Sequence, residues 1–184
     1  MLNKQKQKDW FDTYYDEIHY YETSGGIYQL FKDRYQTEKQ NDDVKFWRIF
    51  RCLYEHLEVV YPLVDVQDFL YIDYCPEIMH ETMFHEEHEA LASIRNKALS
   101  GLDFRTIYRG QPDGDINGYS WTLDENLAKW FATRSGRTKN PIIYKAQMPL
   151  EEIIVYWNGR KEKEIFAPPK YIHETSNKIE KEKL

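Results

Sequence analysis

The stretch IYRGQPDGDINGYSWTLDENLAKWFATRSG, residues 107–136, decides the fold that this sequence predicts. Its β-like opening ends at Arg109 and Gly110, and a spacer of proline, glycine, acids and asparagine follows, which is typical of turns. Residues 119–122 (YSWT) predict a short strand, and a helix that begins acidic and becomes aromatic comes next. This local succession of strand, turn, strand and helix predicts an α+β protein.

The helix within this stretch has a predicted beginning and end. Thr122 and Glu125 have the spacing of a capping box, with Thr122 at the N-cap and Glu125 at position N3. We expect the helix to continue to about Thr133. Further strands are predicted over residues 104–108, 141–148, 153–157 and 164–166.

The first hundred residues have helical patterning. Two helices are predicted over residues 10–21 and 27–35, with a break at Ser24-Gly25-Gly26. A third helix follows the N-cap cluster at residues 41–43 and carries apolar residues at steps of three and four. These apolar residues are Phe46, Phe50, Leu53, Leu57 and Val60.

The third helix ends or kinks at Pro62, and a further helix is predicted over residues 81–98. The pattern changes to strands after that helix. We therefore expect two regions, a helical one over residues 1–100 and a mixed, strand-rich one over residues 101–184.

Composition limits the classes of protein that fit. A chain of 184 residues that is 41% hydrophobic and 30% charged can form a packed core. The formal net charge of -6 disfavours a general nucleic-acid binder. No stretch approaches the roughly 20 apolar residues that cross a bilayer, and the two cysteines have no metal-site or disulfide-framework spacing. We expect a protein of the bacterial or host cytoplasm with no membrane association.

Three histidines, His80, His85 and His88, lie close together in the sequence and are candidates for a metal site. The zinc-protease pattern is His-Glu-x-x-His, and here the second histidine comes one position late. On one helix, His80 and His85 would lie about 140° apart, on different faces. The sequence therefore predicts no metal, and an exposed helix rich in Glu and His is the better interpretation.

Three motifs occur in order in the strand-rich region. Tyr108-Arg109-Gly110 ends the first strand, Ser120-Trp121-Thr122 forms the next, and Glu162-Lys163-Glu164 comes late in the chain. This order resembles the arginine–serine–glutamate class of ADP-ribosyltransferases, in its small phage and bacterial form, over about residues 104–169. The resemblance implies a split β-sheet, or β-sandwich, domain after the helical region, and NAD as the substrate.

The resemblance also implies a role for each motif. Glu164 is the catalytic carboxylate that stabilises the positive charge developing on the ribose, and Ser120 hydrogen-bonds Glu164 to orient it. Arg109 holds the phosphates of NAD, with Arg105, on the same face of the strand but without a following glycine, as an alternative. Gly110 lets the backbone meet the nicotinamide amide.

Aromatic and hydroxyl side chains complete the predicted cofactor-binding set. Trp121 and Thr122 belong to it by their place in the middle motif. Phe131 is our first choice for stacking on the nicotinamide or adenine ring, and Trp121 and Tyr119 are alternatives.

The acceptor follows from Glu162, which we predict to be catalytic together with Glu164. Side chains alternate along a strand, so residues 162 and 164 point to the same face and two carboxylates share one site. In the family that is resembled, a glutamate two positions before the catalytic one accompanies an arginine acceptor. A carboxylate there can bind a guanidinium and accept its proton.

We therefore predict a mono-ADP-ribosyltransferase that modifies a protein, at arginine, in a phage or bacterial setting. It would act by host modification or as a toxin, with a host protein or an antitoxin as partner. Two alternatives remain: the same fold acting on nucleic acid or hydrolysing NAD, and a non-catalytic interaction protein. In the last of these, Arg109 is a paired strand residue, Ser120 is structural, and Glu162 and Glu164 belong to the solvated run RKEKE.

Overall fold

The chain forms two compact units, residues 1–85 and 86–184. The structure is a computed structural model that describes residues 4–38, 43–56, 76–97, 101–111, 118–134, 140–167, 172 and 179–184. The described part contains helices and an open antiparallel sheet, which confirms the α+β class. The boundary precedes the one that we predicted at residue 100, and most of the predicted fourth helix falls in the second unit.

The described part of the first unit consists of helices. They are α1 (Lys4–Thr23), α2 (Ile27–Glu38), α3 (Asp43–His56) and α4 (Pro76–His80). The break between α1 and α2 falls at the predicted glycines, where Gly25 and Gly26 have φ of 111° and 64°. Glycine reaches these positive φ values without the Cβ penalty of other residues, so the chain can turn there.

Helix α3 supplies much of the core of the first unit. Phe46, Phe50 and Leu53 of the predicted stripe are fully buried, whereas Leu57, Val60 and Pro62 lie outside the described residues. The buried guanidinium of Arg51 is paired with Glu55 at 2.9 Å, donates to the carbonyl of Thr82 at 2.6 Å and covers the ring of Phe84. These contacts satisfy a charge that would otherwise be costly to bury.

The described part of the second unit contains helix α5, six strands, a short 3-10 helix and helix α6. In chain order these are α5 (His85–Arg95, which begins at the unit boundary), β1 (Phe104–Gln111), β2 (Ser120–Thr122), α6 (Glu125–Thr133), β3 (Ile142–Pro149), a short 3-10 helix (Leu150–Glu152), β4 (Tyr156–Trp157), β5 (Glu164–Phe166) and β6 (Ile179–Lys183). Strand β5 has its predicted bounds, α6 ends at its predicted residue, and the edge strand β6 was not predicted.

The strands form one sheet in the order β4-β5-β2-β1-β3-β6, antiparallel throughout. Residues directly opposite each other on antiparallel strands point to the same face. Thr122 is opposite both Tyr108 and Glu164, so these three residues share one face of the sheet. We call it the Glu164 face.

Helix α6 begins later than the capping box predicted. Its N-cap is Asp124, whose side chain accepts from the backbone N–H groups of Asn126 at 3.0 Å and Leu127 at 3.2 Å. Thr122 instead remains in β2, and its hydroxyl accepts from the backbone N–H of Asp124 at 3.1 Å. The predicted cap was therefore wrong by two residues, because an aspartate offered a better acceptor closer to the helix.

Within the described ranges, no helix combines the length and the apolar character that crossing a bilayer requires.

Candidate functional site

The three motifs that the sequence singled out lie on three neighbouring strands. Arg109 is on β1, Ser120 begins β2 and Glu164 begins β5, and β2 lies between the other two strands. Strands that are far apart in sequence thus meet at the centre of the sheet.

Glu164 is a buried carboxylate with an exposed fraction of only 2%. Its direct cross-strand partners are Thr122 on β2 and Trp157 on β4. A carboxylate in such a position has exchanged most of its water for protein contacts, which is unfavourable unless the protein supplies polar partners. Glu164 is therefore not a solvated member of the charge run in which it occurs.

The hydroxyl residue nearest to Glu164 in the sheet register is Thr122. Ser120, which we predicted to orient the carboxylate, is opposite Phe166 instead, two positions along the same strand and on the same face. The Thr122 hydroxyl donates to the backbone carbonyl of Glu162 at 2.7 Å. Thr122 thus connects β2 to the segment that leads into Glu164.

Arg109 makes contacts that fix β2. Its Nη1 donates to the backbone carbonyl of Ser120 at 2.6 Å, and its Nε donates to Oε1 of Gln111 at 3.1 Å. Its guanidinium also covers Gly118, where a Cβ atom would come within 1.6 Å of Nη2. Because Arg109 follows Tyr108 in β1, its side chain leaves the sheet on the side opposite the Glu164 face. The fold therefore does not bring the Arg109 and Glu164 side chains together.

Gly110 lies where α6 crosses β1. A Cβ atom on Gly110 would come within 1.7 Å of the carbonyl oxygen of Ala128 and 2.9 Å of the backbone nitrogen of Ala132. Ala128 and Ala132 are fully buried, so small residues on both elements allow the close approach. This packing is sufficient to explain why residue 110 is a glycine, and no ligand is needed to account for it.

The remaining predicted cofactor residues lie in different surroundings. Trp121 is 1% exposed and is opposite Ile165, on the face of the sheet away from Glu164. Phe131 packs edge-on against Trp130, and the guanidinium of Arg134 lies 4.9 Å from its ring centre. Tyr119, the other aromatic candidate, stacks on Phe166 with ring centres 6.1 Å apart.

Glu162 precedes the strand that begins at Glu164. Lys163 between them has φ of 48°, the left-handed region, so the alternation that we used to place both carboxylates on one face does not apply. The prediction that strand alternation places both carboxylates on one face was therefore wrong. The Glu162 carboxylate is 18% exposed, and its Oε2 lies 2.7 Å from Nη2 of Arg160.

The turn of residues 158–163, here called the glutamate turn, is held by Asn158. The Asn158 side-chain oxygen accepts from the N–H of Lys163 at 3.0 Å. The backbone carbonyl of Asn158 accepts from the N–H of Lys161 at 3.0 Å. The Lys163 ammonium pairs with Asp124 at 3.0 Å, and its carbonyl accepts from the N–H of Leu123. The turn is thereby attached to the end of β2 and the start of α6.

Glu87 is a residue of this region that the sequence reasoning missed. It lies on α5, is only 4% exposed, and its Oε1 accepts from the backbone N–H of Asn158 at 2.5 Å. Burial, and secondarily the charge of Glu87, raise the pKa of Tyr156. No local pattern distinguishes Glu87 from the other acids of the HEEHE run, because its neighbours Glu86 and Glu89 are exposed.

A cavity of about 560 Å³ lies beside β1. Tyr108 of the Glu164 face lines it, as does Arg105, the alternative cation of the sequence analysis. The other lining residues are Ile94, Leu102, Asp103, Phe104, Thr106, Leu123 and Gln147. Its volume falls within the usual range for small-molecule sites, about 300–1,000 Å³.

The histidines do not share one helix. His80 ends α4, residues 81–84 intervene, and His85 and His88 lie on α5. Over the described ranges, no three or more His, Cys, Asp or Glu side chains are grouped so that they could hold a metal ion.

The sequence matches no protein-family model, and neither the curated proteins nor the solved structures include a significant match to it.

Proposed function

We propose that this chain is an NAD-dependent mono-ADP-ribosyltransferase that modifies arginine on a protein, in a phage or bacterial setting. The observation that carries the proposal is the burial of Glu164 at the start of an interior strand of the sheet, opposite Thr122 of the Ser-Trp-Thr motif. A second carboxylate, Glu162, lies two residues before it. The adjacency of β1, β2 and β5 brings the strands of the three motifs together, although the described strands form one continuous sheet and not the two sheets of the predicted β-sandwich.

The chemistry requires a carboxylate near the ribose. Breaking the bond between C1′ and the nicotinamide nitrogen develops positive charge on the sugar, and a fixed carboxylate in a water-poor site stabilises that charge. Glu164 is 2% exposed and meets this requirement better than an exposed carboxylate would. Glu162 would bind the acceptor guanidinium and accept its proton.

The cavity beside β1 is our candidate for the rest of the dinucleotide. Tyr108 lines it and is opposite Thr122, which is opposite Glu164. Adjacent strands are about 4.8 Å apart, so the cavity begins about two strand spacings from the carboxylate. Arg105 also lines the cavity and is the alternative phosphate-binding arginine to Arg109, whose guanidinium holds β2. Both arginines alternate with Tyr108 along β1, so both side chains leave the sheet opposite the Glu164 face, and a phosphate would have to bind at the edge of the cavity on that side.

Isotope-labelled NAD tests the proposal directly. The purified chain is incubated with the label and with agmatine, a small guanidinium acceptor, and then with lysate, for wild type, Glu164→Gln and Glu162→Gln. We expect Glu164→Gln to lower nicotinamide release by about 10²- to 10⁴-fold, and Glu162→Gln to keep NAD hydrolysis but lose transfer. Glu151→Gln, a change of an exposed glutamate, is the control and should behave as wild type.

A non-catalytic interaction protein is the second candidate. It is favoured by the structural contacts of Arg109 with Ser120 and Gln111, and by the packing of Gly110 against Ala128. It predicts no nicotinamide release with protein, RNA, DNA or water as acceptor. Folded Glu164→Gln would then retain the biological effect of the wild type.

A further inference from the structure

Arg160 holds the carboxylate that we assign to the acceptor. Its Nη2 lies 2.7 Å from Oε2 of Glu162, a charge-assisted contact between a guanidinium and a carboxylate. The acceptor arginine of the proposed reaction would make the same contact. A guanidinium of the chain itself therefore occupies the position expected for the substrate.

The backbone at Glu162 is fixed independently of this ion pair. Its carbonyl accepts from the Thr122 hydroxyl at 2.7 Å, and the neighbouring Lys163 is bonded to Asn158 and Asp124. Arg160 is less constrained, since 35% of its side chain is exposed and Gly159 precedes it in the turn. The pair thus joins a carboxylate on a fixed backbone segment to a more accessible guanidinium.

We propose that Arg160 is a modification site of this chain, ADP-ribosylated in cis by Glu164 and Glu162; the inference rests on the proposed function. A guanidinium nitrogen of Arg160 bonds to C1′ of the nicotinamide ribose. The C1′–nicotinamide bond breaks, and its electron pair leaves with neutral nicotinamide. The proton lost by the attacking nitrogen passes to Glu162 and then to water, so the step needs no reactant other than NAD.

Proximity favours this internal acceptor. An arginine held two residues from Glu162 has an effective concentration set by the turn, which exceeds that of a dilute external acceptor. Arg160 also competes with an external arginine for Glu162. Because exposed ion pairs contribute about 0.2–1 kcal/mol, we expect removal of Arg160 to lower the KM for agmatine by about 1.5- to 5-fold.

Peptide mass spectrometry after incubation with NAD alone tests the inference. The expected result is ADP-ribose on Arg160 of the full chain, at a rate that does not change on dilution of the protein. Arg160→Lys keeps a positive charge beside Glu162 but removes the guanidinium, and should lose this label. Arg95→Lys is the matched control, because Arg95 is an exposed arginine of the same unit, and should keep it.

The outcomes separate this inference from the proposed function. Transfer to agmatine that depends on Glu164, without ADP-ribose on Arg160, would overturn the inference and leave the function intact. Label on the chain that persists in Arg160→Lys, or a rate proportional to protein concentration, would also overturn the assignment in cis. If the wild type releases no nicotinamide with any acceptor, the proposed function fails and the inference fails with it.

Discussion

At both Gly110 and Gly118 an added side chain would clash with a neighbour, but the neighbouring group differs between the two positions. A Cβ on Gly110 would strike the backbone of Ala128, which belongs to a helix and cannot move alone. A Cβ on Gly118 would strike the far end of the Arg109 side chain, which can rotate away. The same substitution therefore has different consequences at the two positions.

We expect Gly110→Ala to destabilise the second unit by at least about 2 kcal/mol, because overpacking against backbone forces α6 away from β1. Urea denaturation measures the loss. Gly118→Ala should cost less, and in an Arg109→Ala background its further cost should fall below about 0.5 kcal/mol, since the clashing group is gone. Equal costs for Gly118→Ala in both backgrounds would contradict the contact.

The sequence predicted the strand that contains Glu164 but not the direction of the Arg109 side chain. Glu164 begins a strand that the local pattern delimits, and its position in β5 was predicted. The face to which Arg109 points depends on the pairing of β1 with β2, which is a non-local property that no local pattern encodes. The packing of Gly110 against α6 is non-local in the same way, so the motif suggested a ligand where the fold has a helix.

Two elements were not predicted correctly from the sequence: the start of α6 and the edge strand β6. The capping box at Thr122 had the right spacing, but Asp124 offered a carboxylate nearer the first helical N–H groups. The edge strand Ile179–Lys183 has one apolar residue among charges, so no buried alternation marks it. Lysines and glutamates on an edge strand are common because they discourage pairing with other chains.

The N-cap of α6 gives a stability prediction at the scale of an element. Asp124→Ala should cost about 1 kcal/mol, and Asp124→Ser, which restores an acceptor oxygen, should recover most of it. Thermal unfolding at pH 7 measures both variants. Asn126→Ala, a change at an exposed position of the first helical turn, is the control.

The pH dependence of that cap has a defined sign. The hydrogen bond from the Lys163 ammonium, followed by that from the Leu127 N–H, holds the pKa of Asp124 below its ordinary value. A carboxylate with a lowered pKa stabilises the folded state above its unfolded pKa of about 3.9, and that contribution is lost as the pH falls further. The stability difference between wild type and Asp124→Asn should therefore shrink below about pH 4. A difference that stays constant from pH 6 to pH 3 would contradict the assignment.

The glutamate turn gives a second prediction at this scale. Asn158→Ala removes the acceptor for the Lys163 N–H but keeps the backbone N–H that donates to Glu87. Since one hydrogen bond contributes about 1 kcal/mol, exchange of the Lys163 amide should accelerate about five-fold. Amide exchange followed by NMR measures this rate. Asn126→Ala, at an exposed helix position, should leave the rate unchanged, and an unchanged rate in Asn158→Ala would refute the anchoring role.

At the scale of the whole molecule, the boundary between the two units, after residue 85, can be tested with fragments of the chain. Residues 86–184 contain every paired strand of the described sheet, and α6, which packs on β1. They also contain α5, where buried Leu91 and Glu87 lie and where Glu87 accepts from Asn158. A domain that begins at residue 101 would lack these contacts.

We therefore expect residues 86–184, expressed alone, to unfold in a single cooperative transition, and residues 101–184 to be less stable by about 2 kcal/mol or more. Loss of buried Leu91 removes apolar packing, and loss of Glu87 leaves the Asn158 N–H without its buried acceptor. Urea denaturation followed by tryptophan fluorescence compares the two fragments, and Leu91→Ala in residues 86–184 serves as an intermediate control. If residues 86–184 are unfolded whereas the full chain is folded, the division at residue 85 does not mark an independent unit. Equal stability of the two fragments would show that α5 contributes nothing to the sheet, and the boundary would then move back to the one that the sequence predicted.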